Sequence, residues 1–207
     1  MYLIFIVLMN HHLTSNLVHE VLGISFFILF IIHQILNYKY YKAIFKGKYN
    51  LKRTIKLIVN LLFALSIFLI IISSINISNE VFAFLKIDSK IWGRSMHLCS
   101  TSWAFVLMSI HVGLHLEMFT QKVNKIIKNT SLKRIYHFIL ILIFIFGLYS
   151  FFNLNYISDM FLLNPFKYYD YSKPPAVYYI QVIASSIFIQ ISTNFIYNLK
   201  KKEEYHV

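Results

Sequence analysis

Long apolar runs dominate this chain, and several of them approach the roughly 20 residues that a helix needs to cross a bilayer. Hydropathy separates six segments, at residues 1–13, 17–38, 54–75, 92–119, 135–152 and 176–198. The first falls short of a full span and begins at Met1 without the positively charged n-region of a signal peptide. It reads either as a half-helix that continues into the second segment through Asn10–Asn16 or as the remainder of a span that starts upstream. The expectation is an all-α polytopic membrane bundle of about six transmembrane helices, forming one domain over residues 1–207.

Charge supports that reading and removes another. The chain is 58% hydrophobic and 14% charged, well below the roughly 25% charged residues of a soluble domain. Its net charge of +12 would suggest nucleic acid in a soluble protein. Here the positive residues fall between apolar runs, so they point to membrane orientation and anionic headgroups instead. Seven Lys or Arg lie in residues 38–56, five in the fourth-to-fifth connection and three at Lys200, Lys201 and Lys202. The alternate connections hold only five: Lys86, Lys90, Arg94, Lys167 and Lys173. That bias predicts a multi-pass plasma-membrane protein with a cytoplasmic C-terminus and, with six spans, a cytoplasmic N-terminus. The connection at residues 153–175 differs from the rest, with Phe161, Phe166, Tyr168, Tyr169 and Tyr171 beside Asp159 and Asp170. It suits an external interfacial belt or a cap over the bundle.

The nine histidines are unevenly distributed. His19 and His33 lie on the second segment, and His97, His111 and His115 on the fourth, whereas the third and sixth have none. Ionisable residues inside a membrane are expensive and mark function by default, and neutral imidazole is the commonest metal ligand. His19 and His33 are 14 residues apart, and so are His97 and His111. Fourteen residues rise about 21 Å and complete nearly four turns, so each pair shares a helix face at two depths. Because one span separates the two helices, they run parallel. His19 can then face His97 at the outer depth and His33 can face His111 at the inner depth.

Two stacked bis-imidazole iron sites follow, each able to hold a b-type haem. Single Cys99 rules out an intrachain disulfide and a thiolate zinc cluster, and no C-x-x-C-H attachment motif is present. Gly23, one turn after His19, would leave room for a ring edge, and Arg94, one turn before His97, could neutralise a propionate. Each also has an ordinary alternative: helix packing for the glycine, interfacial anchoring for the arginine. His115 shares the azimuth of His97 on an unbroken helix, so angle alone does not choose between His111 and His115 as the inner ligand. Matching depth favours His111. Glu20 reads as an orienting partner or an interfacial carboxylate, while His11, His12 and His206 carry no assigned role.

The run His19-Glu20-Val21-Leu22-Gly23 with His33 and Asn37, then Arg94-Ser95-Met96-His97, Trp103 and His111-Val112-Gly113-Leu114-His115, resembles the flavinylation-associated cytochrome family, also called DUF4405. The resemblance runs on through Gly147 and the aromatic connection to the last span, although the first span looks truncated. It implies a membrane b-type cytochrome in extracytosolic electron transfer, often associated with domains that carry covalent FMN. This chain shows no flavin-attachment segment, so such a flavoprotein would be a separate polypeptide. Menaquinol or another quinone, or a cytoplasmic reductant, is then a candidate donor, and the chain is an electron-transfer subunit rather than a stand-alone enzyme. The competing class is a histidine-lined metal-ion transporter or channel. It is weakened because the second and fourth segments lack a midplane carboxylate and a proline.

Overall fold

The computed structural model describes residues 1–203 except 86, 88, 89, 164–168 and 171; the side chains of 90, 124 and 200–203 are likewise not described. The described chain is helical throughout, without strands among the described residues. Its helices are α1 (Tyr2–Leu8), α2 (Asn16–Leu36), α3 (Tyr38–Ile44), α4 (Leu51–Ile77), α5 (Lys90–Gly113), α6 (Leu116–Ile126), α7 (Thr130–Asn153), α8 (Tyr156–Met160) and α9 (Pro175–Glu203).

Local sequence sets most of these boundaries. Ser15, Asn50 and Asn129 begin α2, α4 and α7 by accepting hydrogen bonds from Val18 N, Arg53 N and Ser131 N at 3.3, 2.9 and 2.8 Å, as side-chain oxygens at the N-cap do. Pro175 opens α9, where its missing N–H costs nothing. Asn37 ends α2, and its Nδ2 donates to the His33 carbonyl at 2.7 Å. The residue one turn beyond His33 is therefore occupied in capping.

Four helices, α2, α4, α7 and α9, are long and apolar enough to cross a membrane. A fifth crossing is made only if α5 and α6 count as one span, since they bend by 48° at a short break. Among the described residues the count of such helices is thus four or five. The first hydropathy segment is not among them: α1 has seven residues, about 10 Å of helix. Asn10 is buried and turns its Nδ2 back onto the Ile6 carbonyl at 3.2 Å. The chain then passes through a 3₁₀ turn at His11–Leu13.

The core is built around α5, which lies along α4 and crosses α9, while α7 packs on the other side of α9. Phe105 of α5 stacks on Tyr156 of α8, ring centres 4.5 Å apart. Trp103 Nε1 and Cys99 Sγ both donate to the Met160 carbonyl at 3.1 Å, which closes α8 beneath α5. Small residues allow the helices to approach. A Cβ on Gly113 would stand 2.8 Å from the Gln190 carbonyl oxygen of α9. One on Gly147 would run into the Ala184 carbonyl. Helix α2 is the exception. Phe26 is its buried residue, packed on Phe5 of α1 at 5.4 Å between ring centres. The rest of α2 stands largely off the α4–α5 pair, with His19 near α5 across a narrow slot and His33 exposed.

Candidate functional site

The outer histidines meet across that slot. The rings of His19 on α2 and His97 on α5 have centres 6.3 Å apart and planes inclined at 70°. Two imidazoles ligating one metal from opposite sides, with about 2 Å per nitrogen–metal bond, have ring centres about 6 Å apart. The observed spacing is too long for a direct hydrogen bond and suits an axial pair. Among the described residues, no heavy atom lies within 4 Å of where a Cβ on Gly23 would stand. Gly23, unlike Gly113 and Gly147, therefore leaves open volume beside His19.

Helix α4 orients both histidines of α5. Ser73 Oγ and Ser74 Oγ lie 3.2 and 3.3 Å from His97 Nδ1, and Asn60 Oδ1 lies 2.8 Å from His111 Nδ1. An amide oxygen only accepts, so His111 carries its proton on Nδ1. Ser73 already donates to the Ile70 carbonyl at 2.9 Å, which leaves its oxygen free to accept from His97 Nδ1. A ring with Nδ1 protonated keeps an Nε2 lone pair, the form in which neutral histidine binds metal while its other nitrogen is held by an outer partner. Hydropathy alone passes over these three residues, but Asn60, Ser73 and Ser74 are polar interruptions in an otherwise apolar span. That was the available signal.

Across the slot, Glu20 ties α2 to the end of α4. Its carboxylate accepts from Ser78 Oγ and Val81 N at 2.7 Å, Asn79 N at 3.0 Å and Glu80 N at 3.3 Å. Neighbouring His19 is thereby held at the height of His97. His19 Nδ1 is buried and has no hydrogen-bond partner among the described residues. The ring of His11 meets His19 edge-on, with centres 4.5 Å apart. His11 itself is held by Asn16 Oδ1 at 3.2 Å from its Nε2.

The inner pair is less closed. His33 is exposed on α2, and His111 has His115 as a ring neighbour, with centres 5.2 Å apart. The straight-helix argument that gave His115 the azimuth of His97 does not hold, because α5 ends at Gly113 and His115 caps α6. His115 is exposed at this break, whereas His111 stays on α5 against Phe63 and Asn60. Arg94 is exposed one turn above His97.

His12 stacks on Tyr169 at 3.8 Å and meets Tyr178 edge-on at 4.6 Å, and Phe161 meets Trp103 at 5.8 Å. The aromatic connection thus lies over the His11–His12 turn where it is described. Phe166, Lys167, Tyr168, Tyr171, Lys86 and His206 lie outside the described residues. Among the described residues, no group of three or more His, Cys, Asp or Glu side chains converges as a metal-ion site. Comparisons of the chain with protein-family models, curated proteins and solved structures find no match.

Proposed function

We propose that this membrane protein is a b-type cytochrome that carries electrons across the bilayer through two haems, each held between a histidine of α2 and a histidine of α5. The single observation that carries the reading is the facing of His19 and His97 at 6.3 Å across an open slot. The polarised Nδ1 of His97, the unpartnered Nδ1 of His19 and the bare Cα of Gly23 fit a flat macrocycle there. His19 and His97 are the outer ligands; His33 and His111 are the inner ones, with α2 closing on α5 at that depth. Haem supplies reversible one-electron chemistry at iron, tuned by its axial ligands, their outer hydrogen bonds and burial.

The chain's own residues do the rest. Ser73, Ser74 and Asn60 fix the ring tautomers, Glu20 fixes the height of His19, and Gly23 keeps the slot clear. Arg94 stands at the outer surface as a counter-charge for a propionate, and His115 stands near the inner surface for a propionate or a quinone. In the resemblance to flavinylation-associated cytochromes, the external acceptor is a separate flavoprotein and the donor a quinol or a cytoplasmic reductant.

Five crossings, with α1 dipping only partway, preserve the alternation of lysine-rich and lysine-poor connections. The C-terminus is then cytoplasmic by the charge rule, and the short α1 lies at the opposite face. A metal-ion transporter remains the competing class, and the absence of a convergent three-ligand group among the described residues weighs against it.

The test is a reduced-minus-oxidised visible spectrum of the purified full chain with a pyridine haemochrome assay. A b-type α-band with two haems per chain is expected. Protein free of haem from cells able to supply it would overturn the reading and turn attention to bound metal ions.

A further inference from the structure

The lysine-rich turn between α2 and α4 is a built structure rather than a loose charged loop. Arg53, in the first turn of α4, reaches back into it. Its guanidinium donates to the Lys48 carbonyl at 3.2 Å, the Lys46 carbonyl at 2.6 Å and the carbonyl of Ala43. The same group lies 4.2 Å over the ring of Tyr49, whose hydroxyl donates to the Ile44 carbonyl. Gly47, at φ +79°, allows the chain to double back around it. The carbonyls at the end of α3, which would otherwise repel an anion, are turned onto Arg53.

This turn borders an open surface cavity of about 400 Å³ lined by Lys39, Lys42, Lys46 and Arg53, with Leu57 in its apolar wall. No Asp or Glu occurs in the sequence between Glu20 and Glu80, and Glu20 is bound at the far end of α4, so the turn itself has no carboxylate to balance the four cations. Close by in the chain are exposed apolar side chains: Leu36 and Leu51 are exposed, and Phe45 is 92% exposed. A soluble anion would need the cations alone. A molecule with a phosphate and hydrocarbon chains uses both parts of the surface.

We propose that this cavity is a binding site for the phosphate-bearing headgroup of an anionic phospholipid, with its acyl chains lying along the exposed face of α2 and α4. Lys39, Lys42 and Lys46 supply mobile charges around the phosphate, while Arg53 holds the turn in shape. The assignment does not depend on haem and stands or falls separately from the electron-transfer reading.

Native mass spectrometry of the detergent-purified full chain tests it, with phosphatidylglycerol, phosphatidylcholine and inorganic phosphate as separate probes. Phosphatidylglycerol should bind in preference to phosphatidylcholine. The triple variant K39Q/K42Q/K46Q should lose at least tenfold in that affinity, and the single variants K39Q and K46Q should fall between. The variant K122Q/K125Q/K128Q removes the same charge from another basic segment and should bind as the parent does. Equal loss in both triple variants would reduce the effect to bulk charge and overturn the site. Undiminished binding in K39Q/K42Q/K46Q would overturn it too. Inorganic phosphate that binds as tightly as the lipid and displaces it would overturn the lipid assignment in favour of a soluble anion.

Discussion

Ser73 Oγ sits 3.2 Å from His97 Nδ1 while donating its own proton to the Ile70 carbonyl, so the serine oxygen is placed to accept from the ring. Ser74 repeats the contact at 3.3 Å. In the proposed cytochrome the pair would fix the tautomer of His97 before haem binds. In the double variant S73A/S74A the ring loses that constraint. Haem affinity at the outer site should fall roughly 10–100-fold, read by titrating haem into the apo-protein, with helical circular dichroism unchanged. An unaltered affinity would show that the serines only pack.

The outer pair makes the sharpest stoichiometric prediction. His97→Ala and His19→Ala should each remove one haem and leave the other, as counted by pyridine haemochrome. Retention of both haems in either variant would sink the pairing of α2 with α5.

At the inner depth, the break at Gly113 separates two candidates that an unbroken helix would leave equivalent. His111 has its Nδ1 held by Asn60 at 2.8 Å, and His115 caps α6 at an exposed position. His111→Ala should therefore lose the inner haem, and His115→Ala should keep it with at most a shifted reduction potential. Asn60→Leu should weaken the inner haem without displacing the outer one. Loss of haem in His115→Ala but not in His111→Ala would reverse the assignment.

These distinctions mark where the sequence was legible. The apolar runs located α2, α4, α7 and α9 because lipid imposes length and hydropathy on any spanning helix. The placing of His19 and His97 near the same end of their helices was legible too, and their rings lie 6.3 Å apart. What failed was the assumption of continuity over residues 92–119, taken as one straight helix, which bends by 48°. The first segment, already short of a span, is a helix of seven residues. Neither Asn10 nor Gly113 marks a break strongly by composition; a local bond to the Ile6 carbonyl and a tertiary contact with Gln190 complete the signal. Gly113 lets α5 meet α9. Glu20 could not have been assigned in advance, since its partners lie about 60 positions away in the chain.

That long-range contact carries a stability prediction. Glu20 gathers Ser78 Oγ and three backbone N–H groups, and removing the carboxylate leaves those donors without their acceptor. Hydrogen bonds to a charged acceptor contribute more than neutral ones, so Glu20→Ala should cost about 1–3 kcal/mol and lower the thermal midpoint. Glu20→Gln, which keeps one acceptor oxygen, should recover part of it. Since the contact also sets the height of His19, the outer haem should be lost at a lower temperature than the inner one in Glu20→Ala. A melting curve equal to the parent's would show that the loop holds without the carboxylate.

Gly23 and Gly147 offer a comparison in which the fold and the cofactor respond in opposite ways. A side chain on Gly147 meets the Ala184 carbonyl and, at 2.8 Å, the Phe188 Cβ. Two packed helices must separate to admit it, so Gly147→Ala should cost about 1–3 kcal/mol through overpacking. A Cβ on Gly23 meets no described atom within 4 Å, and alanine also removes some of the entropic cost of glycine in a helix. Gly23→Leu should therefore leave the melting temperature of the apo-protein unchanged or slightly raised. In the same variant the leucine side chain fills the volume beside His19, and the outer haem should be lost while the inner one remains. Both quantities come from one preparation, a thermal melt of apo-protein and a haemochrome count after haem is supplied. If Gly23→Leu keeps two haems, the open volume is an ordinary groove facing lipid, and the outer site must lie elsewhere.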